Sequence, residues 1–101
     1  MTLEEVRIMR QVQAILVRNY VDTQKLNVEV IGASVYLEGD LQIFEYNPAY
    51  RKMDRVERDL SQARMLLHIE KQIRSMAEIA HIEFKLRNWD RVGAQWVPRR
   101  H

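Results

Sequence analysis

The spacing of apolar residues changes twice along this chain, and these changes constrain the fold more than any other feature. From Val6 to Tyr20, apolar residues recur at three- and four-residue intervals, which is typical of an amphipathic helix. Thr2 and Glu5 have the spacing of a capping box at the start of that helix. The pattern therefore predicts a helix over about residues 3–20, with Tyr20 on its apolar stripe.

Alternation of apolar and polar residues follows and predicts two strands. The first alternation covers residues 26–30 and the second covers residues 34–43. Residues 31–34 have the composition of a turn, so the two strands should form an antiparallel hairpin with one apolar and one polar face. Gly39 falls on the apolar side of the second strand, where a glycine indicates a bulge or the close approach of another backbone.

The chain breaks at Asn47-Pro48, and helical spacing then returns. The pattern predicts one long helix from Pro48 or Tyr50 to Ala77, and a third strand over residues 79–86 follows it. The apolar residues of this helix form two stripes about a quarter turn apart. One stripe should face the core, and the other should face the first helix or another chain.

The element order α-β-β-α-β predicts an α+β fold: a two-layer sandwich with two helices on one face of a three-stranded mixed sheet. The third strand returns after a helical crossover, so it should lie parallel to one strand of the hairpin. Residues 1–88 form this single domain, and residues 89–101 form a C-terminal tail. Because the tail contains Trp89 and Trp96, it should pack back on the domain or dock on a partner.

The hairpin also carries a recognisable motif, whose alternating positions are Val35, Leu37, Gly39 and Leu41. This motif and the element order resemble the BON domain, a small bacterial module with Gly-x-Val-x-Leu-x-Gly in its hairpin. One extra residue separates Gly32 from Val35 here, and the resemblance covers about residues 3–88. It implies a binding module without catalysis that contacts membranes or other envelope components. The same topology is similar to that of the ring-building modules of bacterial secretion machines, which self-associate.

Composition excludes several classes of function. The chain has no cysteine, which excludes disulfides, thiolate metal sites and cysteine nucleophiles. None of the histidines has a second ligand four residues later, so we expect no metal and no cofactor; they are His68, His81 and His101. Glu38 and Asp40 share a face of an open strand without a pocket, so we expect no enzymatic activity. No apolar run is long enough to span a membrane and no signal peptide is visible, which favours the cytoplasm.

Basic residues are concentrated in the second half of the chain. Residues 1–50 carry 4 basic and 7 acidic residues, a net charge of −3, whereas residues 51–101 carry 12 and 7, a net charge of +5. Arg51, Arg55 and Arg58 share one face of the predicted long helix. That face continues as an apolar ridge, which we define as Met65, Ile69 and Met76.

A basic helix end that leads into an apolar ridge suits an anionic lipid surface or an acidic partner helix. It also fits solvated arginines beside a ridge that packs inside the domain. The polar sheet face offers a second candidate surface, with Tyr36 as its anchor, and the tryptophan tail offers a third.

We therefore expect a non-enzymatic interaction module that self-associates or binds a protein through a sheet edge, the apolar ridge or the tail. The alternative is peripheral binding to anionic phospholipid. Weak nucleic-acid binding is a third and less favoured expectation, because no aromatic residues are interleaved with the basic ones.

Overall fold

The computed structural model describes residues 1–46 and 48–100 of the chain. Asn47, predicted as part of a chain break, and His101, considered as a metal ligand, lie outside the described residues. The helices are α1 (Leu3–Arg18), α2 (Pro48–Arg51) and α3 (Arg55–Arg74). The strands are β1 (Leu26–Ile31), β2 (Ser34–Gly39), β3 (His81–Leu86), β4 (Trp89–Val92) and β5 (Gln95–Pro98).

Helix α1 begins with the predicted capping box. The Glu5 backbone N–H donates to the Thr2 hydroxyl at 3.1 Å, and the Thr2 N–H donates to the Glu5 carboxylate at 2.8 Å. Both contacts satisfy backbone donors that the first helical turn leaves unpaired. Ile8, Val12 and Leu16 are buried, which confirms that the apolar stripe faces the core.

The three predicted strands form one mixed sheet in the order β1-β2-β3. Strand β1 is antiparallel to β2, and β3 is parallel to β2, as the crossover through α3 requires. Gly32 is the first of the two residues that connect β1 to β2, and its φ of 60° fits the turn that glycine allows there. The structure therefore confirms the predicted α+β fold class.

Helices α1 and α3 cover one face of this sheet and leave the other face uncovered. Val35, Leu37 and Ile82 point toward the helices and are buried. The alternate residues of the strands are more exposed, and Glu38 and Lys85 point to solvent. The core therefore lies in a single layer between the two helices and the inner face of the sheet.

The long helix predicted from Pro48 or Tyr50 to Ala77 is wrong at its start, and it ends at Arg74 rather than at Ala77. A single-turn helix, α2, ends at Arg51, and α3 begins only at Arg55. Asp54 caps α3, because its carboxylate accepts the backbone N–H of Glu57 at 2.9 Å. An aspartate at that position competes for backbone donors and favours a new helix start over continuation.

The second strand ends earlier than its alternation predicted. Strand β2 stops at Gly39 rather than at residue 43. A Cβ atom at Gly39 would lie only 2.4 Å from the Lys25 carbonyl oxygen. This confirms the predicted close approach of another backbone. Beyond it, Ile43 makes an isolated antiparallel bridge with Val21 at the end of α1. The third strand likewise begins at His81 rather than at residue 79.

The C-terminal segment is a β-hairpin rather than an irregular tail. Strands β4 and β5 pair antiparallel as a separate two-stranded sheet, and β5 packs against α3. The side-chain amide of Asn88 holds this segment to the domain, since Leu41 donates to its oxygen at 3.0 Å and accepts from its nitrogen at 2.8 Å. Trp89 and Trp96 are both buried in the core.

Candidate functional site

Helix α1 ends in a Schellman motif that places an aromatic residue in an unusual backbone conformation. The Val21 N–H donates to the Leu16 carbonyl and the Tyr20 N–H donates to the Val17 carbonyl, both at 3.0 Å. The residue directly after the C-cap of such a motif has a positive φ and is usually glycine. Here it is Tyr20, with a φ of 61°.

Tyr20 belongs to a group of three exposed aromatic residues, which we call the aromatic cluster: Tyr20, Phe44 and Tyr46. The rings of Tyr20 and Tyr46 pack edge to face, with 5.3 Å between their centroids. The Phe44 N–H donates to the Tyr20 carbonyl at 2.8 Å. The exposed fractions are 55% for Tyr20, 49% for Phe44 and 73% for Tyr46, so the cluster contributes little to the core.

The position of Tyr20 is costly for folding. A side chain other than glycine in left-handed conformation costs about 1 kcal/mol or more. Burial of the Tyr20 ring offsets little of this conformational cost, because the side chain is largely exposed. Its helical spacing had predicted a core position. Strained backbone that displays an exposed side chain is a reason to look for function. The aromatic cluster is therefore the first component of the candidate site.

The predicted arginines lie on either side of the break between α2 and α3. Arg51 ends α2, whereas Arg55 and Arg58 lie at the start of α3. The three arginines therefore do not share one continuous helix. The Arg58 guanidinium donates to the carbonyls of Tyr50 at 3.1 Å and Arg51 at 3.0 Å, and it lies 5.2 Å from the centre of the Tyr50 ring. Arg58 therefore has a structural role in joining the two helices.

The exposed basic residues beside it have no carboxylate partner. Arg51, Lys52 and Arg55 are exposed, and within residues 1–46 and 48–100 none of them forms an ion pair. Their charges are therefore available to an anion. They are the second component of the candidate site.

One side-chain amide bridges the segment that carries the basic residues and the segment that carries part of the aromatic cluster. The side-chain amide of Gln62 donates to the carbonyl of Ile43 at 3.1 Å and to the hydroxyl of Tyr50 at 3.2 Å. Ile43 precedes Phe44, and Tyr50 precedes Arg51, so this amide connects the two components. We call the combined set the aromatic–basic surface, and it consists of Tyr20, Phe44, Tyr46, Arg51, Lys52 and Arg55.

Sequence reasoning missed the aromatic part of this surface. No aromatic residue is interleaved with the arginines along the chain, and the fold instead brings Tyr20 from the end of α1 and Phe44 from the segment after β2. The available signal was the exit of α1, where the helical pattern ends at Tyr20 with no glycine to form the C-terminal cap.

The other predicted residues lie elsewhere in the fold. Ile69 is fully buried, and Met65 and Met76 pack partly buried against the core, so the apolar ridge is largely internal. The indole of Trp89 donates to the Leu41 carbonyl at 3.1 Å, and that of Trp96 donates to the Glu70 carboxylate at 2.9 Å. Neither the ridge nor the tryptophans belong to the aromatic–basic surface.

Glu70 is a buried carboxylate that sequence reasoning identified only as a partner of Arg74. The predicted pair is present at 2.8 Å, and Arg91 and Trp96 also donate to the carboxylate. Burial alone would raise the pKa of Glu70, but the hydrogen bonds from Arg74 and Trp96 and the arginine charges hold that pKa below its ordinary value. The carboxylate therefore holds the C-terminal hairpin against α3.

Tyr36 lies at the centre of the uncovered sheet face. Its neighbours across the strands are Glu29 on β1 and Glu83 on β3. The ammonium group of Lys85 lies 5.7 Å from the centre of its ring, and the His81 ring packs edge to face at 6.3 Å. Tyr36 is therefore half-buried by charged neighbours of its own sheet and is far less exposed than the aromatic cluster.

The described residues include no group of three His, Asp or Glu side chains arranged to hold a metal ion. Within the same range, no helix is both long and apolar enough to cross a membrane. Of the carboxylates Glu38 and Asp40, Asp40 pairs with Arg87 at 3.3 Å, whereas Glu38 points to solvent across from Lys85.

No model of a known protein family matches the chain, and comparison with curated proteins and with solved structures found no match. The resemblance to the BON domain therefore stays a prediction that rests on the hairpin motif and the element order.

Proposed function

We propose that this protein is a non-enzymatic, BON-like binding module that attaches peripherally to anionic phospholipid surfaces. The observation that carries the proposal is the aromatic–basic surface, in which the Gln62 side-chain amide links the segment of three exposed aromatic side chains to a segment of exposed basic side chains without ion pairs. Tyrosines and phenylalanines favour the boundary between headgroups and acyl chains, and arginines and lysines favour the anionic headgroups themselves.

The apolar character of this surface favours a lipid over a nucleic acid. The rings of Tyr20 and Tyr46 pack edge to face at 67°, so these two rings do not form parallel platforms for successive bases. Val17, one turn before Tyr20, is 61% exposed, and an aliphatic side chain gains more from an acyl environment than from a base. The experiment below must distinguish lipid binding from nucleic-acid binding by the same surface.

The test is sedimentation with vesicles of phosphatidylcholine alone and of phosphatidylcholine mixed with phosphatidylglycerol. We expect binding only to the anionic vesicles, with an affinity that falls as salt is raised. Reversing two charges in Arg51→Glu/Arg55→Glu should lower the partition coefficient at least about tenfold, because each basic residue near such a surface contributes about 1 kcal/mol. Arg58 is left intact because it joins α2 to α3.

The matched control is Arg7→Glu/Arg10→Glu, which makes the same change of charge on the exposed side of α1. It should retain most of the vesicle binding. Arg55→Glu itself should not unfold the protein, because an acidic residue suits the first turn of α3. Equal binding to neutral vesicles, equal loss in the α1 control, or tighter binding to a single-stranded oligonucleotide would each contradict the lipid assignment.

Self-association or protein binding is the second candidate, and the free edges of the three-stranded sheet favour it. The apolar ridge and the two tryptophans offer little surface to a partner, because they pack in or against the protein's own core. Light scattering behind a sizing column at two protein concentrations tests self-association. A mass that rises above 12.1 kDa with concentration would support it, and a constant monomer mass would leave only a different partner.

A further inference from the structure

Strand β3 is an edge of the sheet, and half of its backbone groups face outward. The His81 N–H donates to Ala33 at 3.4 Å, and the Arg87 N–H donates to Gly39 at 2.8 Å, so both point toward β2. In a parallel pair, alternate residues bond to the neighbouring strand. The N–H and C=O groups of Ile82 and Phe84 must therefore point to the free edge. Among the described residues, no backbone group outside the sheet bonds to them.

A groove runs along this edge. One part has a volume of about 320 Å³ and lies between Phe84 of β3, Glu70 of α3 and Trp96 of β5. A second part of about 280 Å³ continues it toward the start of β3. Arg74 and Ile82 line both parts, so the groove follows the unpaired backbone along most of its length.

The wall opposite β3 carries two guanidinium groups and one buried carboxylate, and Glu83 of β3 also lines the groove. Arg74 and Arg91 share the single carboxylate of Glu70, and Arg91 also donates to the Gly93 carbonyl at 2.9 Å. The side chains of Arg74 and Arg91 are 53% and 36% exposed, while that of Glu70 is only 5% exposed. Each guanidinium has five donors, so several remain free to bind an anion in the groove.

We infer that the groove binds an extended peptide of another protein, which adds to β3 as a fourth strand and places a carboxylate against Arg74. The outward backbone groups of Ile82 and Phe84 supply the main-chain hydrogen bonds, and the two arginines select for the acidic group. This site is separate from the aromatic–basic surface and does not depend on lipid binding.

A second copy of the chain fits this edge less well than a peptide does. A twofold pairing of β3 with β3 would bring the same surface of both copies together, and Arg74 of one copy would approach Arg74 of the other. Like charges at that distance oppose the pairing. The occupant that matches the exposed guanidinium of Arg74 is an acidic segment.

The probe is a displayed library of random twelve-residue peptides with free C-termini, selected against the full-length protein. The enriched peptides are synthesised with a fluorophore, and their affinity is measured by fluorescence polarisation. We expect them to contain Asp, Glu or a required terminal carboxylate. We also expect N-methylation at alternate backbone positions to weaken binding at least tenfold. In amide NMR spectra, the peptide should shift the resonances of Ile82 and Phe84 and protect their N–H groups from exchange.

Arg74→Gln should weaken these peptides at least fivefold, and replacing the peptide carboxylate by an amide should then have little further effect. Lys71→Gln is the matched control, since Lys71 is exposed on the same helix but does not line the groove. Arg51→Glu/Arg55→Glu should leave peptide affinity unchanged, which separates this site from vesicle binding. A selection that enriches nothing, peptides that leave Ile82 and Phe84 unmoved, or dimerisation through β3 would overturn the inference.

Discussion

The indole Nε1 of Trp96 donates a hydrogen bond of 2.9 Å to the same carboxylate oxygen of Glu70 that Arg91 binds. Two residues of the C-terminal hairpin therefore meet one residue of α3 at a buried point. The Arg91 guanidinium also lies 5.5 Å from the centre of the Trp96 ring, so the three groups form one compact unit. A buried carboxylate with several charge-assisted partners makes the hairpin depend on its ionisation.

We predict that acid weakens this unit through Glu70. Its pKa is lower in the folded protein than its ordinary value of 4.5, so its stabilising contribution is fully present above that value. It is lost as pH falls below 4.5 and through the folded pKa, because the unfolded chain then binds more protons than the folded one. Glu70→Gln should cost about 1–3 kcal/mol of unfolding free energy at neutral pH.

The measurement is urea denaturation of wild type and Glu70→Gln from neutral pH down to below pH 4.5. The difference between the two should shrink as pH falls. Glu78→Gln, an exposed control near the end of α3, should show a small difference at every pH. A Glu70→Gln difference that stays constant or grows on acidification would show that the charge of Glu70 does not stabilise the fold.

Gly39 should be far less tolerant of alanine than the turn glycines. A Cβ atom there would lie 2.4 Å from the Lys25 carbonyl oxygen, and that oxygen is held by the Asp40 N–H at 3.0 Å. We expect Gly39→Ala to cost at least about 3 kcal/mol, since a backbone clash adds to the strain of positive φ. Gly93→Ala meets open space at a φ of 60° and should cost only about 1 kcal/mol.

Denaturant midpoints of the two glycine variants test this difference directly. If Gly39→Ala were no worse than Gly93→Ala, the crossing of the Lys25 and Gly39 segments would be looser than the structure describes.

The sequence predicted the three-stranded sheet because its information is local and periodic. The alternation around Gly32, the helical spacing of α1 and the pairing of Glu70 with Arg74 all depend on residues close together in the chain. The C-terminal hairpin was missed although it repeats a signal already used. Gly93-Ala94 connects β4 to β5 as Gly32-Ala33 connects β1 to β2, and both glycines have a φ of 60°.

The hairpin was not predicted because its strands are only four residues long and alternate weakly. The two tryptophans predicted only that the segment packs on the domain or on a partner. The candidate site was harder to predict from the sequence, for a different reason. Whether Tyr20 is buried depends on where α1 stops, and Asn19 ends it by donating its side-chain amide to Ile15 and Gln72. Gln72 is 53 residues away, and no local pattern encodes that contact.

Asn88 should be essential for docking the hairpin. Its amide makes two hydrogen bonds with the backbone of Leu41, which is almost fully buried. Asn88→Ala leaves the Leu41 N–H without its acceptor in the interior, at a cost of about 1–3 kcal/mol. Asn27→Ala, at an exposed asparagine on the outer face of β1, should cost far less.

Stability and hydrogen exchange together check the role of Asn88. Exchange of the β4 and β5 amides should accelerate more than exchange of β2, because Asn88 lies directly before β4 and joins the hairpin to Leu41. A uniform acceleration across both sheets would instead show that the hairpin unfolds only together with the rest of the domain.

Tyr20 offers the sharpest separation of folding from function. Tyr20→Gly should raise the unfolding free energy by about 1 kcal/mol, because glycine adopts the φ of 61° without strain and the exposed ring contributes little to the core. Tyr20→Ala removes the same ring but keeps the strain, so it should be no more stable than wild type. The difference between the two variants therefore isolates the backbone strain from the loss of the ring.

Both variants should bind anionic vesicles more weakly than wild type, and to a similar extent, if the aromatic cluster enters the lipid boundary. Denaturation and vesicle sedimentation on the same three proteins give the comparison. A glycine variant that is more stable and binds less would mean that the strained tyrosine is retained for binding. A glycine variant that is less stable than wild type would mean that the Tyr20 ring, packed on Tyr46, contributes more to folding than the strain removes.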